Sequence, residues 1–152
     1  MKKRCCFAGH GKTQYTNDIY EKLVEIIEKL IVEENIDEFW VGNYGSFDAL
    51  SAKAVKYIKK KYSLIKLVLV VPYITVEMNE YNEMYSMKYD EILVVDIPEK
   101  TPKRLYILKC NEYMVKRSDF LICYVMHNWG GASKTLDFAK RKNKMMIYNL
   151  SE

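Results

Sequence analysis

The residues of this chain best suited to hold or act on a ligand are its six glycines and two histidines. They fall in the turns Gly9-His10-Gly11, Gly42-Asn43-Tyr44-Gly45 and His127-Asn128-Trp129-Gly130-Gly131. The last turn carries the plainest chemistry. Phe120 to Val125 is an apolar run of strand length, Gly130 and Gly131 permit close backbone approach, and Ser133 can cap a helix from Lys134 to Lys142. A strand that stops at paired glycines leaves bare backbone N–H groups at the mouth of the next helix. That suits an anion, most often a phosphate. Lys134 falls in the first helical turn, where a cation opposes the helix dipole unless an anion answers it. The plain alternative is a tight strand-to-helix turn beside a solvated lysine.

Each remaining candidate has a functional and a structural role open to it. His10 and His127 can exchange protons near neutrality or donate to a ligand, or they can simply be packed. Asp48 can accept from a ribose hydroxyl or cap a helix. Tyr44, Tyr73 and Trp129 can stack on a purine or close the core. Arg104 and Asn111, seven residues apart, share one face of a continuous helix and could reach a phosphate or a base. The ligand-binding set is therefore Gly9, His10, Gly42, Tyr44, Gly45, Asp48, Pro72, Arg104, Asn111, Gly130, Gly131, Ser133, Lys134 and Thr135. No catalytic residue, metal or cofactor is assigned. Gly11-Lys12-Thr13 imitates the end of a P-loop, but the glycine needed five positions earlier is Cys6, inside a strand.

These turns need a scaffold, and the hydrophobic periodicity supplies one. Arg4 to Ala8, Glu38 to Val41, Lys66 to Val71, Ile92 to Val95, Phe120 to Val125 and Lys144 to Tyr148 have strand character. Between them, Asn17 to Glu34 is amphipathic at helical spacing, and Ser46 or Asp48 opens a second helix whose lysine-rich end, Lys53 to Lys61, reads as a solvated face. Thr101 as cap with Pro102 at the first position announces a helix to about Arg117. Met78, Tyr81, Met84 and Tyr85 allow a short helix within Ile74 to Asp90. This alternation predicts one α/β domain over residues 1–152 with a mostly parallel sheet, and a ligand outside the carboxyl ends of its strands.

Composition narrows the setting. Four cysteines without a CxxC pair, no 20-residue apolar run and no apolar leader after Met1 predict a cytoplasmic chain with reduced thiols and no membrane partner. A net charge of +4 is too mild on its own to argue for nucleic acid, which is not expected as a partner; the expected partner is a nucleotide-like small molecule. Homo-oligomerisation is left open.

The blocks CCFAGH, WVGNYGSFDALSAKAV, LVLVVPY and NEYMVKRSDFLICYVMHNWGGASKTLDFAKR resemble a small bacterial member of the SLOG superfamily. That group unites the lysine-decarboxylase-like LOG proteins with the DNA-processing protein DprA, and the YpsA-like branch matches best. The resemblance implies a Rossmann-like three-layer sandwich with strand order 4-3-2-1-5-6. It also implies a binding or sensing role for a nucleotide or nucleotide-derived phosphorylated ligand. Two alternatives accompany it: a LOG-like phosphoribohydrolase cleaving nucleoside 5′-monophosphates, and a DprA-like single-stranded DNA binder. Against turnover, the LOG block's glutamate position holds Phe138, with Asp137 one place off, and its arginine position holds Cys110.

Overall fold

Alternation with a period of two sorts the strand residues into two apolar layers. Cys5, Phe7, Phe39, Val41, Leu67, Leu69 and Ile122 enter one core cluster. Their neighbours Cys6, Ala8, Trp40, Val68, Val70, Leu121 and Cys123 enter the other. A sheet apolar on both faces must be covered on both, so helices flank it on either side. The computed structural model, which describes residues 3–12, 16–73, 89–142 and 145–152, has this arrangement.

In chain order the elements are β1 (Lys3–Gly9), α1 (Thr16–Glu34), β2 (Ile36–Val41), α2 (Ser46–Lys59), β3 (Lys66–Val71) and β4 (Glu91–Val94). A 3-10 turn (Lys103–Leu105) then runs into α3 (Tyr106–Lys116), followed by β5 (Phe120–Tyr124), α4 (Gly131–Arg141) and β6 (Met146–Asn149). The six strands pair in the order β4-β3-β2-β1-β5-β6, every pair parallel. This is the Rossmann-like α/β sandwich and the strand order the resemblance implies. Ile19, Leu23, Ile27 and Leu30 of α1 and Phe47, Val55 and Ile58 of α2 fill the first cluster. Met114 and Val115 of α3 and Leu136 and Ala139 of α4 fill the second. Among the described residues no helix is long and apolar enough to cross a membrane.

Three local expectations are corrected. α4 begins at Gly131, three residues before Lys134, because Gly130 takes φ 93 and itself stands as the N-cap. Ser133 is therefore buried inside the first turn rather than capping it. Pro102 precedes a 3-10 turn and does not open an α-helix, so Arg104 and Asn111 do not share a continuous helical face. β6 starts at Met146, and Lys144 lies outside the described residues, as does the segment 74–88 where a short helix was expected.

Candidate functional site

The chain leaves β1 outward through β2, β3 and β4, then returns so that β5 pairs on the other side of β1. Strand order thus reverses between β1 and β5, and loops leaving their carboxyl ends must diverge there and open a crevice. A cavity of about 440 Å³ lies at that point. Ala8 to Lys12 wall it from β1, Tyr44 and Asp48 from the β2 turn, and Ile107 and Asn111 from α3. His127 and Trp129 to Ala132 close it from the β5 turn.

The β5 turn forms a ladder of rings with the end of β1. His10 and His127 stack at 4.0 Å between centroids and 17° between planes, and His127 stacks on Trp129 at 3.7 Å and 12°. Hydrogen bonds fix how the imidazoles are protonated. The Met126 N–H donates to His10 Nε2 at 2.9 Å, so the proton of neutral His10 resides on Nδ1. His127 Nδ1 lies 2.8 Å from the Trp129 carbonyl, which can only accept, so Nδ1 is the protonated nitrogen there too. Burial, and then the neighbouring His127, hold the His10 pKa below its usual value. Trp129 is 68% exposed and leaves the last ring of the ladder open to solvent.

Beside the ladder stands the start of α4. No side chain caps it, and the Lys134 N–H donates to the Gly130 carbonyl at 3.1 Å to close its first turn. A Cβ built on Gly131 meets nothing within 4 Å, so this glycine borders open space. Lys134 is exposed in the first turn without being part of the cavity wall, whereas Thr135 is buried. Thr135 donates its hydroxyl to the Gly131 carbonyl at 2.9 Å and so must accept from Asn111 Nδ2 at 3.1 Å. That chain of bonds orients the Asn111 amide and ties α3 to the first turn of α4.

Across the cavity, Asp48 sits in the first turn of α2, where its Oδ2 accepts the Tyr44 N–H at 3.0 Å. Burial pushes its carboxyl up to about 7, against the lowering effect of that one hydrogen bond. Near neutral pH the group is thus poised between acid and carboxylate.

The remaining expected site residues are dispersed. Gly42 and Gly45 border a separate cavity of about 480 Å³ along α2. Pro72 lines a third of about 430 Å³. Arg104 is exposed and lines none of these cavities. Gly9 does border the first cavity, but a Cβ there would lie 2.3 Å from the Phe47 ring, so its missing side chain is required by packing. Gly45, at φ 88, lies against the Gly11 backbone in the same way and joins the β1 and β2 turns. Lys12, Ile107, Lys103 and Tyr106 also line the first or third cavity, and the sequence did not single them out. The last three follow Pro102, at the entry of the helix expected to return to β5, and that position was their only signal.

Comparison with known proteins gives a fold and no family, since no protein-family model matches the chain. The chain is 27% identical over 143 residues to the uncharacterized SPbeta prophage-derived protein YoqJ of Bacillus subtilis (strain 168), with 80% of each covered. Among solved structures it superposes on DNA processing protein A from Helicobacter pylori with a TM-score of 0.64, at 15% identity, over 99% of this chain and 67% of that one. The chain shares its fold with DNA processing protein A. That structure concerns the single-stranded DNA binding mode of the H. pylori protein. The expectation that nucleic acid is not a partner therefore does not hold. A net charge of +4 sums over the whole surface, while strand binding depends on a local track of rings and donors.

Proposed function

We propose that the chain binds single-stranded nucleic acid at the carboxyl rim of its sheet. One nucleotide sits in the switch-point cavity, its phosphate at the start of α4 and its base against Trp129. The observation that carries this reading is the ladder His10, His127 and Trp129 beside an uncapped helix N-terminus with Lys134 in its first turn. Aromatic faces take any base and backbone N–H groups take any phosphate, the two requirements of a strand held without regard to sequence. The fold shared with the H. pylori protein supports it, as does the resemblance to the DprA side of the SLOG superfamily, whereas the resemblance to the YpsA-like branch supports the second reading below. The setting proposed is cytoplasmic.

A labelled oligothymidylate should bind with an affinity that falls with salt, by a log-log slope of about −0.7 per phosphate neutralised. Trp129→Ala and Gly131→Val should each weaken it about tenfold or more, the first by removing a stacking face and the second by filling open space at the helix mouth. Because nothing crowds a Cβ at Gly131, the valine variant should melt as the wild type does. No binding at low salt, or two folded variants that bind as wild type, would overturn the proposal.

A second reading is a free nucleotide or nucleotide-derived ligand held without turnover. It is favoured by one bounded cavity of about 440 Å³ with a buried carboxyl in its wall. Calorimetric binding of AMP that matches the oligonucleotide in affinity and shows little salt dependence would select it. Asp137, the carboxylate nearest the LOG glutamate's register, is exposed and not part of the cavity wall, so it lends no support to a LOG-like glycosidase.

A further inference from the structure

Beyond the switch-point cavity, a second hollow of about 430 Å³ is lined by Tyr44, Pro72, Tyr73, Lys103, Tyr106 and Ile107. We propose that this hollow is a second base subsite, so that the shortest ligand filling the rim is two linked nucleotides. The inference rests on the nucleic-acid reading above and specifies how much of the strand is held.

Contiguity comes first. Tyr44 and Ile107 line both cavities, so the two share a wall, and a linker crossing from one to the other passes Tyr44. Chemistry comes second. Tyr73 and Tyr106 meet edge to face at 6.2 Å and 64°, and together with Tyr44 they offer aromatic surface around one hollow. Tyr44 and Tyr73 are 54% and 50% exposed, and none of the three tyrosines belongs to either core cluster. Rings that merely closed the end of the core would be packed against it. Lys103, exposed in the turn before α3, supplies a cation at the same hollow, where the phosphate of the second nucleotide would need one.

The pairing has a directional consequence. The first cavity has backbone donors and the ladder, whereas the second has tyrosines and one lysine. A lone nucleotide therefore prefers the first and gains nothing from the second. The second contributes only when a phosphodiester delivers a neighbouring base to it, at the high local concentration that linkage confers.

The test compares thymidine 5′-monophosphate, the dinucleotide pTpT and a long oligothymidylate by calorimetry at low salt. The dinucleotide should bind about tenfold or more tightly than the mononucleotide, the gain of one stacked base. Tyr106→Ala and Tyr73→Ala should return the dinucleotide to mononucleotide affinity and leave the mononucleotide unchanged, while Tyr106→Phe should keep the gain. Circular dichroism and melting would exclude loss of fold in the alanine variants. If the long strand binds but the dinucleotide is no tighter than the mononucleotide, the second subsite fails and the strand-binding reading stands. Equal weakening of both short ligands by Tyr106→Ala, without rescue by phenylalanine, would also sink it. If no ligand binds at all, both readings fall.

Discussion

Asp48 shows how one buried group couples the site to pH. The residue is 9% exposed, with the Tyr44 N–H as its one hydrogen-bonding influence on titration, and burial lifts its carboxyl from near 3.8 to about 7. Between those values the folded chain keeps a proton that the unfolded chain has lost. Stability is therefore highest below the unfolded value and declines as pH rises toward 7, by an amount on the order of a few kcal/mol. Asp48→Asn retains an oxygen to accept from Tyr44 and cannot ionise. In urea unfolding at pH 5 and pH 8, the wild type should lose stability relative to the asparagine variant, and parallel behaviour would refute a buried, late-titrating carboxyl. The sequence marked this residue as either a cap or a ribose acceptor; the structure makes it neither a plain cap nor exposed, because α2 caps on Gly45 and Asp48 turns inward. Gly9 teaches the converse. Its place in a glycine turn suggested ligand approach, yet the ring of Phe47, thirty-eight positions on, decides what can stand there. Such contacts across loops leave no mark on local sequence.

At the scale of the element, the start of α4 separates a ligand's helix from a merely structural one. Its first turn holds no acidic residue, its N-cap is a glycine, and Lys134 brings positive charge to the positive end of the dipole. Left empty, that arrangement costs roughly 0.3–1 kcal/mol, and with a phosphate present the same lysine becomes favourable. Lys134→Ala should therefore leave the ligand-free melting point unchanged or slightly higher. Binding of a phosphorylated ligand should weaken by about 1–3 kcal/mol, the range of a charge-assisted hydrogen bond, while its dephosphorylated form is unaffected. A lower melting point with intact phosphate binding would assign Lys134 to the scaffold. The helix itself was legible from Gly130-Gly131 and the apolar spacing of Leu136 and Ala139; its first three residues were not, since serine is a common cap and only the φ of Gly130 displaces it. The entry to α3 misled for a similar reason. Proline fits the first turn of an α-helix, but it equally fits the extended residue ahead of a 3-10 turn, the geometry Pro102 adopts at ψ 138.

Over the whole molecule, the sheet was the legible part because parallel strands buried on both faces write uninterrupted apolar runs, KLVLVV and FLICY among them. Strand order came from resemblance rather than from those runs, which do not encode which strand neighbours which. The same two-sided burial places the four thiols. Cys5 lies in the layer between the sheet and α1 and α2, while Cys6 and Cys123 of the sheet and Cys110 of α3 lie in the layer on the other face. All are free and buried, and burial pushes Cys6 and Cys123 up to about 12 and Cys110 to about 11, with Cys5 also raised. A thiol protected both by burial and by protonation reacts only once the surrounding layer opens. If the two layers, joined through one sheet, open together, all four cysteines should be labelled by a thiol reagent at one rate. That rate should rise with denaturant along a single slope. The measurement is labelling at neutral pH, followed residue by residue by mass spectrometry. One rate for Cys5 and another for the three of the second layer would show that the faces of the sheet open separately, and rapid labelling without denaturant would contradict the burial of the core.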